Sequence, residues 1–83
     1  MKINVRYFAS LREALGSGEA VEMPAGSTVA ALRDVLLALG GRHAEVLARG
    51  RAVRSALNQS ICDESAVLAD GAEVAFFPPV TGG

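Results

Sequence analysis

One stretch limits the architecture of this chain more than any other. Val29, Leu32, Leu36 and Leu39 recur at helical spacing, with Val35 in support and Arg33 and Asp34 turned away. Ser27 or Thr28 is placed to cap the start, and Gly40-Gly41 ends the helix. No other segment of the 83 residues makes a helix long enough to cover a sheet face. Whatever forms strands must therefore gather into one sheet beneath this helix.

The strands are legible by their alternation. Ile3, Val5, Tyr7 and Ala9 alternate with Lys2, Asn4, Arg6 and Phe8, which predicts a first strand with one buried face. Phe8 is the exception, an aromatic on the otherwise polar face. Ser10 is placed to cap a short helical turn over Leu11–Leu15, which Gly16-Ser17-Gly18 breaks. Ala20, Val21 and Met23 suggest a second strand, ended by Pro24-Ala25-Gly26, so the first two strands form a hairpin with an elaborated loop. After the main helix, His43–Arg49 forms a second short helix, using Val46 and Leu47. Val53, Ser55 and Leu57 mark a third strand, Asn58-Gln59-Ser60 a turn, and Ile61-Cys62 a small bridging strand. Asp70-Gly71 is a turn signal before a final strand from Val74 to Phe77.

A hairpin, a crossing helix and a returning hairpin in under 80 residues give an α+β fold with a mixed sheet and one helical layer. The β-grasp is the compact fold that fits, with residues 1–77 as its domain and 78–83 as an extended tail. Phe76 and Phe77 are neighbours in a strand and must point to opposite faces. One packs under the helix. The other, with Phe8, forms an apolar patch on the open face that reads as a docking surface for a partner.

Composition narrows the function. The net charge of −1 comes without a basic block, which argues against nucleic acid as a partner. No apolar run approaches the roughly 20 residues that span a membrane. Met1-Lys2-Ile3-Asn4 leads straight into strand-like sequence, which predicts no signal peptide, and the lone Cys62 predicts a reducing, cytoplasmic compartment and no structural zinc site. A self-contained active site is also missing. His43 is the only histidine and reads as solvated; Cys62 lacks a nearby base and reads as a small buried apolar residue. Asp63 and Glu64 read as solvated loop carboxylates, and Arg42, Arg49, Arg51 and Arg54 as a solvated face. No metal site and no bound cofactor is expected.

That leaves the end of the chain. The last charged residue is Glu73, and the chain closes on Phe76-Phe77-Pro78-Pro79-Val80-Thr81-Gly82-Gly83. A frayed terminus is usually polar. This one is apolar, then stiff at Pro78-Pro79, then bare at Gly82-Gly83, slim enough for a narrow channel. Six residues at roughly 3.3 Å each reach about 20 Å. The pattern points to the terminal carboxylate of Gly83 as the reactive group. A carboxylate is a poor electrophile and must first be activated, most simply as an acyl-adenylate from ATP. A sulfide equivalent then displaces AMP to give a thiocarboxylate, or a lysine amine gives an isopeptide. Neither route needs a catalytic residue in this chain.

The ending Asp70–Gly83, the segment Tyr7-Phe8-Ala9-Ser10-Leu11-Arg12-Glu13 and the turn Ala56-Leu57-Asn58-Gln59 together resemble the small, sulfur-carrying subunits of molybdopterin synthase, the MoaD type. Leu57 stands where valine is commoner in that family, and Ala72 where an acidic residue is frequent. The resemblance implies a ubiquitin-like β-grasp. It implies adenylation of Gly83 by an E1-like, ATP- and zinc-dependent adenylyltransferase of the MoeB type, then loading by a sulfur donor protein to leave a 1-thioglycine. It implies a large catalytic subunit, in a complex of two small and two large chains, that takes in Val80, Thr81, Gly82 and Gly83 behind a docking surface of Phe8, Phe76, Phe77, Pro78 and Pro79. Sulfur then passes to cyclic pyranopterin monophosphate to build the dithiolene of molybdopterin. The same tail chemistry also suits a ThiS-like carrier for thiamin thiazole synthesis or a ubiquitin-like protein modifier. For the modifier, Lys2, the only lysine, nearly rules out lysine-linked chains of this protein on itself. A passive interaction module with an inert tail is the remaining alternative.

Overall fold

The computed structural model describes residues 1–79. Five strands, β1 (Lys2–Tyr7), β2 (Gly18–Glu22), β3 (Arg54–Leu57), β4 (Ser60–Cys62) and β5 (Glu73–Phe77), form one sheet in the order β2-β1-β5-β3-β4. β1 and β5 pair in parallel at its centre, and every other pairing is antiparallel. Three helices, α1 (Ala9–Leu15), α2 (Val29–Ala38) and α3 (Gly41–Val46), complete the fold.

β1 follows its alternation: Ile3, Val5 and Tyr7 are buried while Lys2, Asn4 and Arg6 are exposed. Ala9 does not extend the strand. At φ 54° it turns the chain into α1, whose N-cap is Phe8 with no side-chain hydrogen bond, so Ser10 is not the cap. The hairpin to β2 needs Gly18, because a Cβ there would meet the Val5 carbonyl oxygen at 2.2 Å. Thr28 caps α2, its Oγ1 accepting from the Ala31 amide at 3.2 Å, while the Ser27 hydroxyl turns back to the Pro24 carbonyl. Val29, Leu32 and Leu36 of α2 are fully buried over the sheet, against Ile3, Val5, Val74 and Phe76. Burying each of these side chains stabilises the fold by about 1.5–3 kcal/mol. Leu39 lies one residue past the last turn and is 59% exposed, so it does not extend the buried stripe.

The helical side departs from the sequence reading at its charges. Arg33 does not face away; it is 3% exposed. Its Nε donates to the Leu47 carbonyl at 2.8 Å, one terminal nitrogen donates to the Ala48 carbonyl at 2.8 Å, and the other meets Glu64 at 2.6 Å. Glu64 is therefore not a free loop carboxylate, and Arg49 is not merely solvated: Arg49 bridges Glu64, Asp34 and the Ala30 carbonyl. Burial alone would raise the Glu64 carboxyl, but Arg33 and Arg49 outweigh it and hold Glu64 below the ordinary carboxylate range. Asp34 and Glu64 in turn raise Arg49. A second cluster joins β1, β2 and α3. The Tyr7 hydroxyl donates to Glu19 Oε2 at 2.7 Å, and His43 Nε2 reaches the same oxygen at 2.7 Å, with its ring edge-on to Tyr7. So His43 is half-buried and partnered rather than solvated. Burial would raise Glu19, but its bonds to His43 and Tyr7 lower it. Burial first, and Glu19 second, push the Tyr7 phenol far above its usual value. No buried side-chain nitrogen or oxygen among the described residues lacks a partner.

Arg33→Ala would leave the Leu47 carbonyl without a partner and Glu64 with Arg49 alone, and is expected to cost about 2–4 kcal/mol in urea unfolding. Arg33→Lys should recover only part of that, because one ammonium cannot span the three acceptors. The lowered Glu19 and Glu64 make stability depend on pH with a definite sign. Their contribution is whole above about pH 5 and is lost as the pH falls through their lowered folded values. Glu64→Gln should flatten that acid limb in a pH series of unfolding midpoints; an unchanged limb would refute the assignment.

Candidate functional site

The open face of the sheet, opposite α2, carries the root of the C-terminal tail. Here the register decides what the sequence left open. Phe76 pairs with Tyr7 and Ser55, points beneath α2, and is fully buried. It stacks beside Tyr7 with ring centroids 6.5 Å apart. Phe76 therefore presents no surface to a partner, and its inclusion among docking residues is corrected on that ground. Phe77 takes the opposite direction and is half-buried on the open face.

Phe8 joins it there. The Phe8 amide donates to the Phe76 carbonyl at 3.1 Å, which continues the parallel pairing one residue past β1. The two outward phenylalanines, from opposite ends of the chain, are thereby brought to the same end of the sheet. Phe8 is 39% exposed, with the Arg6 guanidinium over its ring at 5.6 Å. Between these aromatics and the β3–β4 turn lies a cup of about 600 Å³. Ala56 and Ala75, cross-strand partners, form its floor, and Phe8, Phe77, Pro78 and Arg6 are among its walls. The lip at Gln59 is held by the turn. Asn58 and Gln59 both have positive φ, and Asn58 bonds to the backbone of Glu73 in β5 twice, donating through its N–H and accepting through its Oδ1. Asparagine suits this position twice over, tolerating the left-handed region and supplying an acceptor.

Pro78 lines the cup, and Pro78 and Pro79 are half-buried as they leave β5. Val80, Thr81, Gly82 and Gly83, the residues on which the acyl-carrier reading rests, lie outside the described residues. Among the described residues, no group of three or more His, Cys, Asp or Glu is arranged to hold a metal, and no helix is long and apolar enough to cross a membrane. Cys62 is half-buried with its Sγ 3.7 Å from the Ser55 hydroxyl, which is no base for a thiol nucleophile. Arg6, Ala56 and Ala75 are the site residues that sequence reasoning missed. Arg6 shares the open face with Phe8 by simple alternation. The two alanines become a floor only through the β3–β5 register.

A mixed sheet with a central parallel pair, one covering helix and a last strand that runs out into Pro78-Pro79 defines a ubiquitin-like β-grasp protein. SAMP1, small archaeal modifier protein 1, of Haloferax volcanii superposes with a TM-score of 0.80 at 26% identity over the whole of both chains. The chain belongs to the ThiS family, whose model matches residues 5–83. An Escherichia coli (strain K12) protein named molybdopterin synthase sulfur carrier subunit is 45% identical over 98% of this chain and 99% of its own length. A chain from the protein–protein complex of subunits 1 and 2 of the molybdopterin-converting factor from Helicobacter pylori 26695 superposes with a TM-score of 0.71 at 25% identity, all of both chains being covered.

The two phenylalanines should separate in the laboratory. Phe76→Ala is expected to cost about 3–5 kcal/mol of stability. Phe77→Ala, at a part-exposed position, should cost clearly less, about 1–2 kcal/mol. Equal losses in chemical denaturation would contradict the assignment of faces.

Proposed function

We propose that this chain is the sulfur-carrier subunit of a molybdopterin synthase. The observation that carries the reading is the 45% identity to a sulfur carrier subunit across 98% of the chain. The chemistry resides in the Gly83 carboxylate. An E1-like adenylyltransferase of the MoeB type attaches it to the phosphorus of ATP, releasing pyrophosphate and leaving an acyl-adenylate. A sulfide equivalent delivered by a donor protein attacks the acyl carbon and displaces AMP, leaving a thiocarboxylate, the 1-thioglycine form of Gly83. In the synthase that sulfur, ionised at neutral pH, attacks a side-chain carbon of cyclic pyranopterin monophosphate, whose carbon–oxygen bond breaks so that the oxygen leaves with a proton. Cleavage of the resulting acyl–sulfur bond by water leaves sulfur on the pterin and returns the carboxylate. Two such transfers supply the dithiolene.

This chain's own work is docking and delivery. Phe8, Phe77 and Pro78 offer the partner an apolar seat. Pro78 and Pro79 stiffen the exit, and Val80, Thr81, Gly82 and Gly83 pass into the partner's pocket, with Gly82 giving the reacting carbonyl a bare approach. The catalytic residues belong to the large subunit, in an assembly of two small and two large chains located in the cytoplasm. The similar Helicobacter pylori chain comes from a complex of subunits 1 and 2, and that pairing supports a large-subunit partner here.

Intact mass of the chain co-expressed with its activating enzyme and sulfur donor tests the reading. A gain matching one oxygen replaced by sulfur, confined to Gly83, is expected; an unmodified terminus would count against it. Deleting Gly83 should abolish sulfur transfer and leave the urea midpoint unchanged. The likeness to a small archaeal modifier protein favours a second reading, attachment of Gly83 to lysines of other proteins. Isopeptide-linked Gly83 in cell extracts, with sulfur transfer intact in the Gly83-deleted strain, would turn the assignment that way.

A further inference from the structure

Where its backbone turns left-handed among the described residues, this chain uses glycine everywhere except around the cup. Gly16, Gly26, Gly40, Gly41 and Gly71 have positive φ, and none of them lines the cup. The other described residues with positive φ are Ala9 at 54°, Asn58 at 49° and Gln59 at 72°, and all belong to its rim. Ala9 and Gln59 line the cup, and Asn58 ties the turn to Glu73, which lines it too. The two rims lie on either side of β5, one where β1 passes into α1 and one between β3 and β4. Asn58 has a local reason to be left-handed, in its paired bonds to Glu73. Ala9 and Gln59 are strained in that region, where glycine would not be. In a two-residue hairpin turn such as Asn58-Gln59, glycine is the ordinary second residue. Both Ala9 and Gln59 are exposed, so burial in the core does not account for them.

We propose that Ala9 and Gln59 are positioning residues, which stand in glycine's place to keep the two rims of the cup stiff before a partner arrives. Their backbones reach far fewer states than glycine's would. Strain of this kind persists only where the surroundings over-determine it. Here they do. The Phe8 amide donates to the Phe76 carbonyl at 3.1 Å, and the Phe8 carbonyl accepts from the Leu11 amide at 3.2 Å, so Ala9 follows a residue fixed on both sides. Gln59 follows Asn58, whose N–H donates to the Glu73 carbonyl at 2.8 Å and whose Oδ1 accepts from the Glu73 amide at 3.0 Å. Ala9 thereby sets the stance of Phe8, and Gln59 sets the lip that faces it across the cup. The inference rests on the carrier reading above and adds what keeps the seat of that carrier preformed. Order already present in the free chain is not lost on association, whereas a rim that had to be ordered at contact would weaken it. Strain in the free chain is thus exchanged for tighter association.

The test compares A9G, Q59G, A9G/Q59G and Q59A with the unsubstituted full chain. Each is followed by its urea midpoint, by backbone order parameters from NMR relaxation, and by calorimetric titration against the large subunit from the same organism. Glycine at either position should leave the midpoint unchanged or raise it, because the strain is relieved. It should lower the order parameters around the substituted residue. The dissociation constant should rise roughly two- to fivefold for each single glycine variant and about tenfold for the pair. A role in stability alone would not join an unchanged or higher midpoint to weaker binding. Q59A keeps the restricted backbone and loses the carboxamide, so it should bind as the unsubstituted chain does. A Q59A chain weakened as much as Q59G would give the effect to the side chain and overturn the inference. So would glycine variants with lowered midpoints, or with unaltered order parameters and affinity; each of these results leaves the carrier reading standing. An unsubstituted chain that fails to bind the large subunit at all would overturn both.

Discussion

The parallel pairing of β1 with β5 is the contact on which the rest of the structure depends. A parallel pair cannot be closed by a tight turn, so the chain between these strands must cross over the sheet, and α2 is the crossing element. That crossing creates the hydrophobic core, between α2 and the inward faces of β1 and β5. The same pairing brings Phe8, near the start of the chain, to the strand end from which the C-terminal tail leaves. The amide of Phe8 on the carbonyl of Phe76 is the last rung of that ladder. Fold and site thus share one set of hydrogen bonds, and the tail has a rigid root.

The two sides of the sheet divide the work. On the helical side, polar groups are enclosed and matched. Arg33 draws the 47–48 backbone and Glu64 onto α2, and Glu19 is shared by Tyr7 and His43. These networks hold short helices and loops that bury too little apolar surface to hold themselves. On the open side, an apolar cup with Arg6 and Phe8 in its wall is left to water. A small domain with limited burial does not leave apolar surface uncovered for stability's sake. The asymmetry is that of a scaffold built to present one face and one terminus.

Much of this was legible from local pattern. The period of two in Ile3, Val5 and Tyr7, the helical spacing of Val29, Leu32 and Leu36, and the Asp70-Gly71 turn each act within a few residues. Local backbone geometry alone dictates them. The opposite directions of Phe76 and Phe77 were equally legible, being a property of any strand. Arg33 was misread because a helical wheel places it beside the apolar stripe without knowing that carbonyls at 47 and 48 arrive to receive it. His43 and Glu64 were misread for the same reason, since their partners lie 24 and 31 residues away. Polar residues reveal their burial only through such distant partners.

By itself, then, the sequence determined a β-grasp with one covering helix, a pair of phenylalanines divided between two faces, and an uncharged, proline-stiffened, glycine-ended tail. Those are consequences of short-range periodicity and of residue chemistry that needs no neighbour. The tertiary structure decided which phenylalanine is core and which is surface, that Arg33 is a buried clamp, and that Ala56, Ala75 and Arg6 together make a cup at the tail's root. These depend on strand register and on contacts between residues far apart in sequence, where a shift of one residue would exchange the two faces of the sheet.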